Sequence, residues 1–386
     1  MLLTWLRWTI LAAALLPSAT YVLIIFAAHR FFRRQKALSR SFTPPLSVLK
    51  PVCGLDPEAY ENFASFCRQD YPEYEVLFAV TNEQDAAAPV IRKVIADFPA
   101  LPIRLLVAPA HVGSSDKVNK LCALARVARH DFLVISDADI RVGPGYLRTV
   151  AAPFRDAQVG VVTSLFTGIP VRSLWPELEA VYLSADFMPA VLLARQMEGV
   201  HFALGATVAI RRECLKEIGG FEALADEAAD DYELGSRTAA RGHRVELVDA
   251  SVKTWCCLRT LREFFAQRLR WAIMARQARP RGYAGYILAQ GLPWTVLALL
   301  VAPTRLLAAG YAAAYLLLRM ASVWTLGIRG LQDDLLKRRW WLVPLWDAFA
   351  FFLWVSSLFW SRVRWRGVEY RVAGHRLIPT VPDPKG

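Results

Sequence analysis

The six cysteines of this 386-residue chain form neither a Cys-x-x-Cys pair nor a Cys/His arrangement with metal-binding spacing. They are Cys53, Cys67, Cys122, Cys214, Cys256 and Cys257. This lack argues against a metal site built on cysteine and favours reduced, structural thiols. Because disulfides rarely persist in the cytosol, such thiols are compatible with a folded domain that faces the cytosol.

The central part of the chain also lacks an excess of positive charge. Residues 41–252 carry 20 Lys and Arg against 28 Asp and Glu, a net charge of −8, although the whole chain has a net charge of +12. A nucleic-acid-binding domain would carry its positive stripe on the folded part, so no nucleic-acid partner is expected. The excess positive charge lies beside apolar segments instead, where it favours contact with an anionic lipid surface.

Charged residues are absent from Trp8 to Ala28. These 21 residues would form a helix about 31 Å long, which is the thickness of the hydrocarbon core of a bilayer. Only Arg7 precedes the run, so a retained anchor over residues 1–29 is expected rather than a cleaved signal peptide. Basic residues follow the run, and by the positive-inside rule they predict that the chain after residue 29, with its main domain, lies in the cytosol. These residues are Arg30, Arg33, Arg34, Lys36 and Arg40.

Short apolar runs alternate with helical patterns after a Pro-marked linker at Thr43-Pro44-Pro45. The runs predict strands at 47–51, 74–80, 103–108, 132–136, 159–164, 206–210 and 245–248. Helical spacing predicts helices at 57–68, 89–98, 117–128, 144–154 and 174–195. Strands that alternate with helices are typical of a mostly parallel α/β sheet.

The pattern changes near Leu261 to a basic, aromatic, amphipathic helix within residues 259–281, which is expected at a membrane interface. Three apolar stretches follow within residues 282–361, and they contain Pro293, Arg319 and Asp347 respectively. If all three crossed the membrane, the basic tail at 362–386 would end outside the cytosol. Two full crossings plus one re-entrant or interfacial segment are therefore expected. The basic residues of the tail are Arg362, Arg364, Arg366, Arg371 and Arg376.

Two aspartates follow the predicted strand at 132–136. Asp137 and Asp139 flank Ala138, and the ligands of open α/β sheets lie beyond the carboxyl ends of the strands. Carboxylate oxygens at this spacing can hold Mg²⁺ or Mn²⁺ on a diphosphate. The alternative is a simple turn, which Asp also favours after a strand.

Another acidic candidate follows the predicted strand at 74–80. By the same geometry Asp85 would reach the base or ribose of a nucleotide, although Asn82 and Glu83 compete for this role. Asp85 is equally suited to be the N-cap of the helix that begins near Pro89.

Asp230 and Asp231 stand at a predicted helix start, before Tyr232. A carboxylate at this position could act as a general base, because it could take the proton of an acceptor hydroxyl during attack. The alternative is stabilisation of the helix N-terminus through capping and the helix dipole.

The amphipathic helix carries the pentad Gln267-Arg268-Leu269-Arg270-Trp271. Residues three and four apart share a helix face, so Gln267, Arg270 and Trp271 are expected to point together. The Arg and Trp side chains could clamp a pyrophosphate and shape an acceptor pocket. They could also anchor the helix at the membrane interface, and the two roles are compatible.

With these motifs in this order, the sequence resembles the ceramide glucosyltransferase family, including bacterial relatives associated with hopanoid glycosylation. The likeness covers about residues 1–372. The matching stretches are Ser47–Pro51 with Gly54 and Asp56-Pro57, Asp70–Pro72 with Tyr74–Leu77, Lys117–Asn119, Ser136–Val142, Ala229–Tyr232, Gln267–Trp271, and Trp365–Gly367 with Tyr370-Arg371. Animal members of the family have a single acidic residue at the metal motif, so the pair Asp137 and Asp139 would make metal binding easier here.

The resemblance implies a GT-A fold, with a Rossmann-like, mostly parallel sheet, in a cytosolic catalytic domain at residues 44–258. It further implies a multi-pass protein of the bacterial inner membrane that transfers one hexose from a UDP-sugar, with inversion, to a lipid hydroxyl. Glucose or N-acetylglucosamine would be the sugar, and a ceramide-like sphingolipid or a hopanoid polyol the acceptor. The implied site has metal ligands at Asp137 and Asp139, a base at Asp231 beside Asp230, donor contacts at Asp85, Lys117, Asp137 and Arg268, and acceptor or leaving-group contacts at Gln267, Arg270 and Trp271.

Two other functions fit parts of the same pattern. Processive polysaccharide synthases carry similar acidic motifs and a similar pentad, but too few C-terminal spans remain in this chain for a translocation channel. A non-catalytic membrane protein that binds lipid or nucleotide would have a decayed site, whereas acidic residues stand here at every expected position.

Overall fold

The computed structural model describes residues 1–108, 112–227 and 229–360, and the main chain alone at residue 278 and in 362–365, 368–373 and 376–379. The chain divides into two compact units. We call Arg34–Ile169 with Glu198–Trp255 the sheet unit, and Met1–Arg33, Pro170–Met197 and Cys256–Gly386 the helical unit. Residues 170–197, which lie inside the predicted domain at 44–258, thus belong to the helical unit, and the predicted domain bounds stay a prediction.

The strands are β1 (Leu46–Pro51), β2 (Tyr74–Val80), β3 (Ile103–Val107), β4 (Phe132–Ile135), β5 (Ile140–Arg141), β6 (Val159–Pro170), β7 (Val208–Arg211), β8 (Arg244–Cys256), β9 (Arg362–Trp365), β10 (Val368–Ala373) and β11 (Arg376–Pro379). The α-helices are α1 (Leu2–Ala13), α2 (Leu16–Lys36), α3 (Ala59–Cys67), α4 (Ala88–Asp97), α5 (Asp116–Val127), α6 (Tyr146–Ala151), α7 (Leu174–Tyr182), α8 (Met188–Glu198), α9 (Arg212–Glu217), α10 (Asp230–Ala240), α11 (Leu261–Ala278), α12 (Pro280–Gly285), α13 (Gly291–Val301), α14 (Arg305–Val323), α15 (Asp334–Arg339) and α16 (Val343–Phe359). Short 3₁₀-helices cover Ala152–Arg155, Phe221–Leu224, Tyr286–Ala289 and Trp340–Leu342, and π-helical turns cover Leu183–Phe187 and Trp324–Gly330.

The sheet unit is built on a mixed sheet with the strand order β3-β2-β1-β4-β7-β6-β8-β5. Strands β3, β2, β1 and β4 run parallel, whereas β7 pairs antiparallel with both β4 and β6. The predicted mostly parallel α/β sheet is therefore confirmed. Because the chain moves outward from β1 to β3 and then returns to β4 on the other side, the strand order reverses between β1 and β4. Such a switch point is where open α/β sheets bind their ligands.

Apolar side chains fill the parallel strands, and one buried carboxylate among them is fully compensated. Every residue of β1 and β2 is buried. Glu75 on β2 accepts hydrogen bonds from the Ser47 hydroxyl at 2.7 Å, from Arg104 Nη2 at 2.8 Å and from the Arg129 amide at 2.7 Å. Three donors offset the desolvation of a buried carboxylate, so this polar residue is compatible with a central strand.

Two strands extend well beyond their predicted ends. The strand predicted at 159–164 continues to Pro170, and the one predicted at 245–248 continues to Cys256. Polar residues mark both predicted ends, but the sheet satisfies them: Ser164 Oγ accepts the Ala250 amide at 3.1 Å. In β8 the chain passes through Ser251 with a φ of 54°, where the Asp249 carboxylate accepts the Ser251 amide at 3.4 Å.

Within the described residues, three helices are long and apolar enough to cross a membrane, at Leu2–Lys36, Arg305–Gly330 and Asp334–Phe359. A fourth candidate, Pro280–Ala289 with Gly291–Val301, is bent by 48° at its break and fits either a broken span or a re-entrant loop. The chain is therefore a membrane protein. Two long C-terminal helices beside one bent pair are compatible with the predicted two crossings plus one re-entrant segment, and the number of crossings stays a prediction.

The two charged residues that interrupt the C-terminal apolar stretches pair with each other. Arg319 on α14 donates two hydrogen bonds to Asp347 on α16, from Nη2 to Oδ1 at 2.7 Å and from Nε to Oδ2 at 3.0 Å. The Tyr315 hydroxyl donates to the same carboxylate at 2.7 Å, and Arg319 Nη1 donates to the Ala185 carbonyl at 2.7 Å. Charges inside membrane-spanning helices are costly unless they are paired, and here each has its partner.

The C-terminal tail forms a three-stranded antiparallel sheet with the order β11-β10-β9. Four of the five basic residues predicted for the tail lie in these strands, and Arg366 lies outside the described residues. The predicted cytosolic location of the tail stays a prediction.

Candidate functional site

Asp137 and Asp139 follow β4 directly, at the carboxyl ends of the parallel strands and beside the switch point between β1 and β4. Asp137 Oδ1 lies 3.0 Å from the Lys117 ammonium. Asp139 Oδ2 accepts a hydrogen bond from the Thr254 hydroxyl at 2.5 Å. Burial and the neighbouring charge of Asp137 raise the pKa of Asp139 to about 6. Asp139 is therefore easier to protonate than an exposed aspartate, and a positive charge beside it would favour its charged form.

Lys117 joins this loop to the acidic pair at the start of α10. Its ammonium, on the first turn of α5, lies 3.0 Å from Asp137 Oδ1 and 3.3 Å from Asp230 Oδ2. Burial alone would lower the pKa of Lys117, but the charges of Asp137, Asp230 and Asp231 outweigh it and raise the pKa well above its usual value. The lysine therefore stays charged, and the fold brings together four predicted site residues: Lys117, Asp137, Asp230 and Asp231.

Asp231 differs from its neighbour Asp230 in its surroundings. Asp231 Oδ1 accepts the amide of Tyr232 at 2.9 Å, whereas the carboxylate of Asp230 pairs directly with Lys117. Burial, together with the adjacent charge of Asp230, raises the pKa of Asp231 to about 6. A carboxylate with a pKa near the working pH is suited to accept a proton, which is what a general base does.

Lys50 contacts the loop after β4, and the sequence did not predict this contact. The side chain is fully buried at the end of β1, and Nζ donates to the Asp137 carbonyl at 2.6 Å. It also lies 3.9 Å from the centre of the Phe66 ring. Burial lowers the pKa of Lys50 to about 7 despite nearby carboxylates. A lysine near the end of a largely apolar strand was the available signal, because a lysine is rarely buried without a partner for its charge.

Asp85 lies in the loop between β2 and α4, and its carboxylate is held by main-chain amides. Both oxygens are 3.1 Å from the Gly54 amide, and Oδ1 accepts the Ala87 amide at 2.9 Å. Asn82 and Glu83, the other candidates in this loop, are exposed. The structure thus gives Asp85 a local role in shaping the loop after β1, and its contact with a nucleotide stays a prediction.

Two carboxylates could hold a divalent cation in this site. Among the described residues, no group of three or more His, Cys, Asp or Glu side chains surrounds a metal position. Mg²⁺ commonly binds through one or two carboxylates plus substrate phosphates and water, so an open site of two aspartates fits such an ion. Burial and the charge of Asp137 both disfavour the charged form of Asp139, and a bound cation would offset them.

The pentad residues lie on α11 in the helical unit, where Thr260 and Glu263 form a capping box at the helix start. Arg268 is only 3% exposed, and Nη2 lies 2.8 Å from Glu179 Oε1. The guanidinium also stacks 4.2 Å from the centre of the Trp271 ring and 4.8 Å from that of Tyr182. These contacts fix Arg268 and Trp271 against α7, while the predicted donor contact of Arg268 stays a prediction. Gln267, Arg270 and Trp271 are partly exposed.

The sequence and fold match known proteins. The sequence model of glycosyl transferase family 21 matches residues 10–378. The chain belongs to this family. It is similar to ceramide glucosyltransferase 1 of Caenorhabditis elegans, 26% identical over 229 residues that make up 59% of this chain and 49% of that protein. The ceramide glucosyltransferase of Komagataella phaffii is 29% identical over 160 residues, 38% of this chain and 31% of that protein. The predicted resemblance is confirmed, and the chain spans about half the length of the first of these curated relatives.

The fold is also similar to a solved structure. The mannosyltransferase PcManGT from Pyrobaculum calidifontis, in complex with GDP-Man and Mn²⁺, matches with a TM-score of 0.51 at 20% identity. The match covers 90% of this chain and 99% of the mannosyltransferase chain. At this identity the likeness concerns the fold alone, and it confirms the predicted GT-A fold.

Proposed function

We propose that this member of glycosyl transferase family 21 transfers one hexose from a UDP-sugar to a hydroxyl of a membrane lipid, with inversion at the sugar. The observation that carries the proposal is the cluster of Asp137, Asp230 and Asp231 around Lys117 at the switch point of the sheet. The likeness to ceramide glucosyltransferases supports a ceramide-like sphingolipid as acceptor. A hopanoid polyol is the other acceptor class to test, and glucose and N-acetylglucosamine are the donor sugars.

Asp231 is the group best suited to be the base of this reaction. As the acceptor hydroxyl attacks the anomeric carbon, a new carbon–oxygen bond forms on one face and the bond to the diphosphate breaks on the other. The electron pair of the broken bond leaves with UDP, and the hydroxyl proton passes to a carboxylate oxygen of Asp231. Lys117 neutralises Asp230 and keeps positive charge close to the departing diphosphate.

The carboxylates of Asp137 and Asp139 would hold Mg²⁺ or Mn²⁺ at the donor diphosphate. When bound, such an ion supplies positive charge that offsets the charge developing on the leaving group. Thr254 fixes Asp139 through the 2.5 Å hydrogen bond, and Lys50 fixes the main chain at Asp137. Both contacts restrain the loop before any donor arrives, which reduces the cost of ordering it on binding.

In the helical unit, Gln267, Arg270 and Trp271 would contact the leaving group and the acceptor, and Asp85 in the sheet unit the nucleoside. Arg268 is a further candidate for a donor contact. Because UDP-sugars are cytosolic, the sheet unit would face the cytosol. The membrane would be a bacterial inner membrane, and its anionic lipids would attract the basic segments of the chain.

Lipid mass spectrometry tests the function. A host that contains ceramide-like sphingolipids and hopanoids is given either the wild-type chain or Asp231→Asn. We expect a lipid that carries one added hexose with the wild type and its loss with the variant. The mass of the lipid identifies the acceptor, and a purified sample with single UDP-sugars identifies the donor by UDP release. A sugar polymer in place of a monoglycosylated lipid would favour a processive synthase, and neither product nor UDP release would remove the proposal.

A further inference from the structure

Gly205 lies in the turn before β7, next to the carboxylates of Asp231 and Asp137. Leu204 and Thr207, on either side of this turn, pair with each other in an isolated antiparallel β-bridge. A Cβ atom added to Gly205 would stand 2.6 Å from Asp231 Oδ2 and 3.4 Å from its Cγ. The same atom would stand 3.6 Å from Asp137 Oδ2. The face of Gly205 is thus bounded by the proposed base and by a proposed metal ligand.

Backbone conformation does not require a glycine here. Positive φ angles occur at Gly54, Gly199, Gly219, Gly220 and Gly242, and Gly205 has none. An L-residue could therefore adopt its backbone conformation without strain. What excludes a larger residue is the space that the Asp231 carboxylate occupies, since a Cβ atom essentially never lies closer than 3.0 Å to a non-bonded atom.

We propose that Gly205 is a positioning residue for the transfer reaction: its missing side chain reserves the space in which Asp231 Oδ2 stands beside Asp137 and meets the acceptor hydroxyl. This inference rests on the proposed function. The Tyr232 amide holds the other oxygen of Asp231 at 2.9 Å, so the carboxylate has one fixed oxygen and one that faces Gly205. Moving Oδ2 away from Gly205 therefore means rotating the carboxylate and weakening that hydrogen bond.

The position of the steric contact predicts a loss of turnover rather than a loss of folding. In Gly205→Ala the methyl group would meet the end of a side chain, which can move. By contrast, a Cβ at Gly235 would stand 2.4 Å from the Ala203 main-chain nitrogen, which cannot move without disturbing the fold. A general base must stay within hydrogen-bond reach of its proton, and a displacement of about 1 Å can cost about 100-fold in rate.

The test compares Gly205→Ala with Gly145→Ala in the full-length protein, in detergent or nanodiscs. Gly145 lies in the same unit with a φ of −91°, and an added Cβ would meet nothing within 4 Å. We expect Gly205→Ala to lower kcat about 100-fold, with UDP affinity and melting temperature close to wild type. Gly145→Ala is expected to match the wild type in all three. Wild-type turnover in Gly205→Ala would overturn the inference.

A double-mutant cycle with Asp231→Ala distinguishes an effect that acts through Asp231 from a general disturbance of the fold. If Gly205 acts through Asp231, adding Gly205→Ala to Asp231→Ala should cost no further turnover, because the oxygen in conflict is gone. A low melting temperature in Gly205→Ala should likewise return to that of Asp231→Ala in the double variant. Additive losses of turnover, or a melting temperature that stays low, would overturn the inference. An inactive wild type would instead remove the proposed function, and a fully active Asp231→Ala would remove the base.

Discussion

At the scale of single residues, the ammonium of Lys117 separates the tasks of two adjacent aspartates. Asp230 pairs with it at 3.3 Å, whereas Asp231 has a pKa of about 6 and keeps one oxygen toward Gly205. Neighbouring carboxylates in different environments are a common way for a site to assign a proton acceptor and a charge partner. The interpretation of Asp230 and Asp231 as a mere helix cap accounts for neither the lysine nor the raised pKa.

We expect Asp231→Asn to lower transfer by about 10² to 10⁴, the usual contribution of a general base, with little change in UDP-sugar affinity. The amide keeps the shape of the carboxylate but cannot accept the proton. Asp230→Asn is the matched control and should cost much less. Steady-state kinetics with the lipid acceptor measure both. The reverse order of the two effects would identify Asp230 as the base, and two near-normal variants would leave the pair as a helix cap.

The pKa of Asp231 predicts how transfer depends on pH. Because the base must be deprotonated, kcat/KM should fall as pH is lowered through about 6, the pKa of Asp231 in the protein without substrate. The stability effect has the opposite direction: a raised pKa means that the fold favours the protonated form, so this contribution is complete below the usual value of 3.8 and is lost as pH rises through about 6. Asp231→Asn should therefore melt at a higher temperature than the wild type at pH 8, with the difference vanishing near pH 3. A pH-independent difference would contradict this prediction.

Metal dependence can be tested at Asp137 without relying on turnover alone. We expect Asp137→Ala to abolish transfer and to weaken UDP binding only when Mg²⁺ or Mn²⁺ is present, because its carboxylate would hold the ion that attracts the diphosphate. Titration calorimetry with UDP, with and without the ion, measures this. Asp156→Ala, which removes an exposed carboxylate that pairs with Arg244, is the control. Full transfer in excess chelator would contradict the metal role.

Sequence reasoning predicted the location of the acidic residues but not their contacts. Asp137 could be assigned to the sheet edge because carboxyl ends of parallel strands meet at one edge. The 3.0 Å contact with Lys117, the support from Lys50 and the space left by Gly205 depend on residues from five separate segments. No local pattern encodes such distances, so sequence reasoning assigned Lys117 only the donor contact that the family resemblance implies, and it assigned Lys50 and Gly205 no role.

At the scale of elements, apolar runs predicted where the strands lie but not the full length of two of them. The strand predicted at 159–164 ends at Ser164, whereas in the structure the Ala250 amide donates to the Ser164 hydroxyl and β6 continues to Pro170. The sequence also predicted one continuous helix at 174–195, whereas the structure has a π-helical turn at Leu183–Phe187 between α7 and α8. Both places carry a hydrogen bond to a distant part of the chain, which no local pattern encodes: within the π-helical turn, the Ala185 carbonyl accepts from Arg319.

The pair formed by Arg319 and Asp347 makes a testable contribution to the helical unit. Arg319→Met should destabilise the protein by about 3 to 5 kcal/mol, because it leaves Asp347 buried without its charge partner. The double variant Arg319→Met/Asp347→Leu should recover most of that loss. Thermal unfolding in detergent measures both. Lys337→Met, at an exposed pair with Asp334, should cost at most about 1 kcal/mol. A double variant less stable than Arg319→Met would contradict the pairing argument.

At the scale of the whole molecule, charge and apolar length together predict the orientation in the membrane. The helix at Leu2–Lys36 contains the uncharged run from Trp8 to Ala28, and one basic residue precedes that run whereas five follow it up to Arg40. Flanking Lys and Arg set orientation more strongly than acidic residues do, so the side with five is expected to stay in the cytosol. The proposed donor, a UDP-sugar, would be available on this same side.

A reporter fused after Arg40 tests this orientation independently of catalysis. Alkaline phosphatase, which folds only in an oxidising compartment, should be inactive at this position, whereas a fluorescent protein that matures in the cytosol should be bright. Replacing Arg30, Arg33, Arg34 and Lys36 by Gln should weaken or reverse the difference, because it removes most of the charge asymmetry. An active phosphatase in the unaltered chain would put the acidic site on the far side from cytosolic UDP-sugars. The proposed donor would then be inaccessible, even with Asp137, Asp231 and Lys117 in the same geometry.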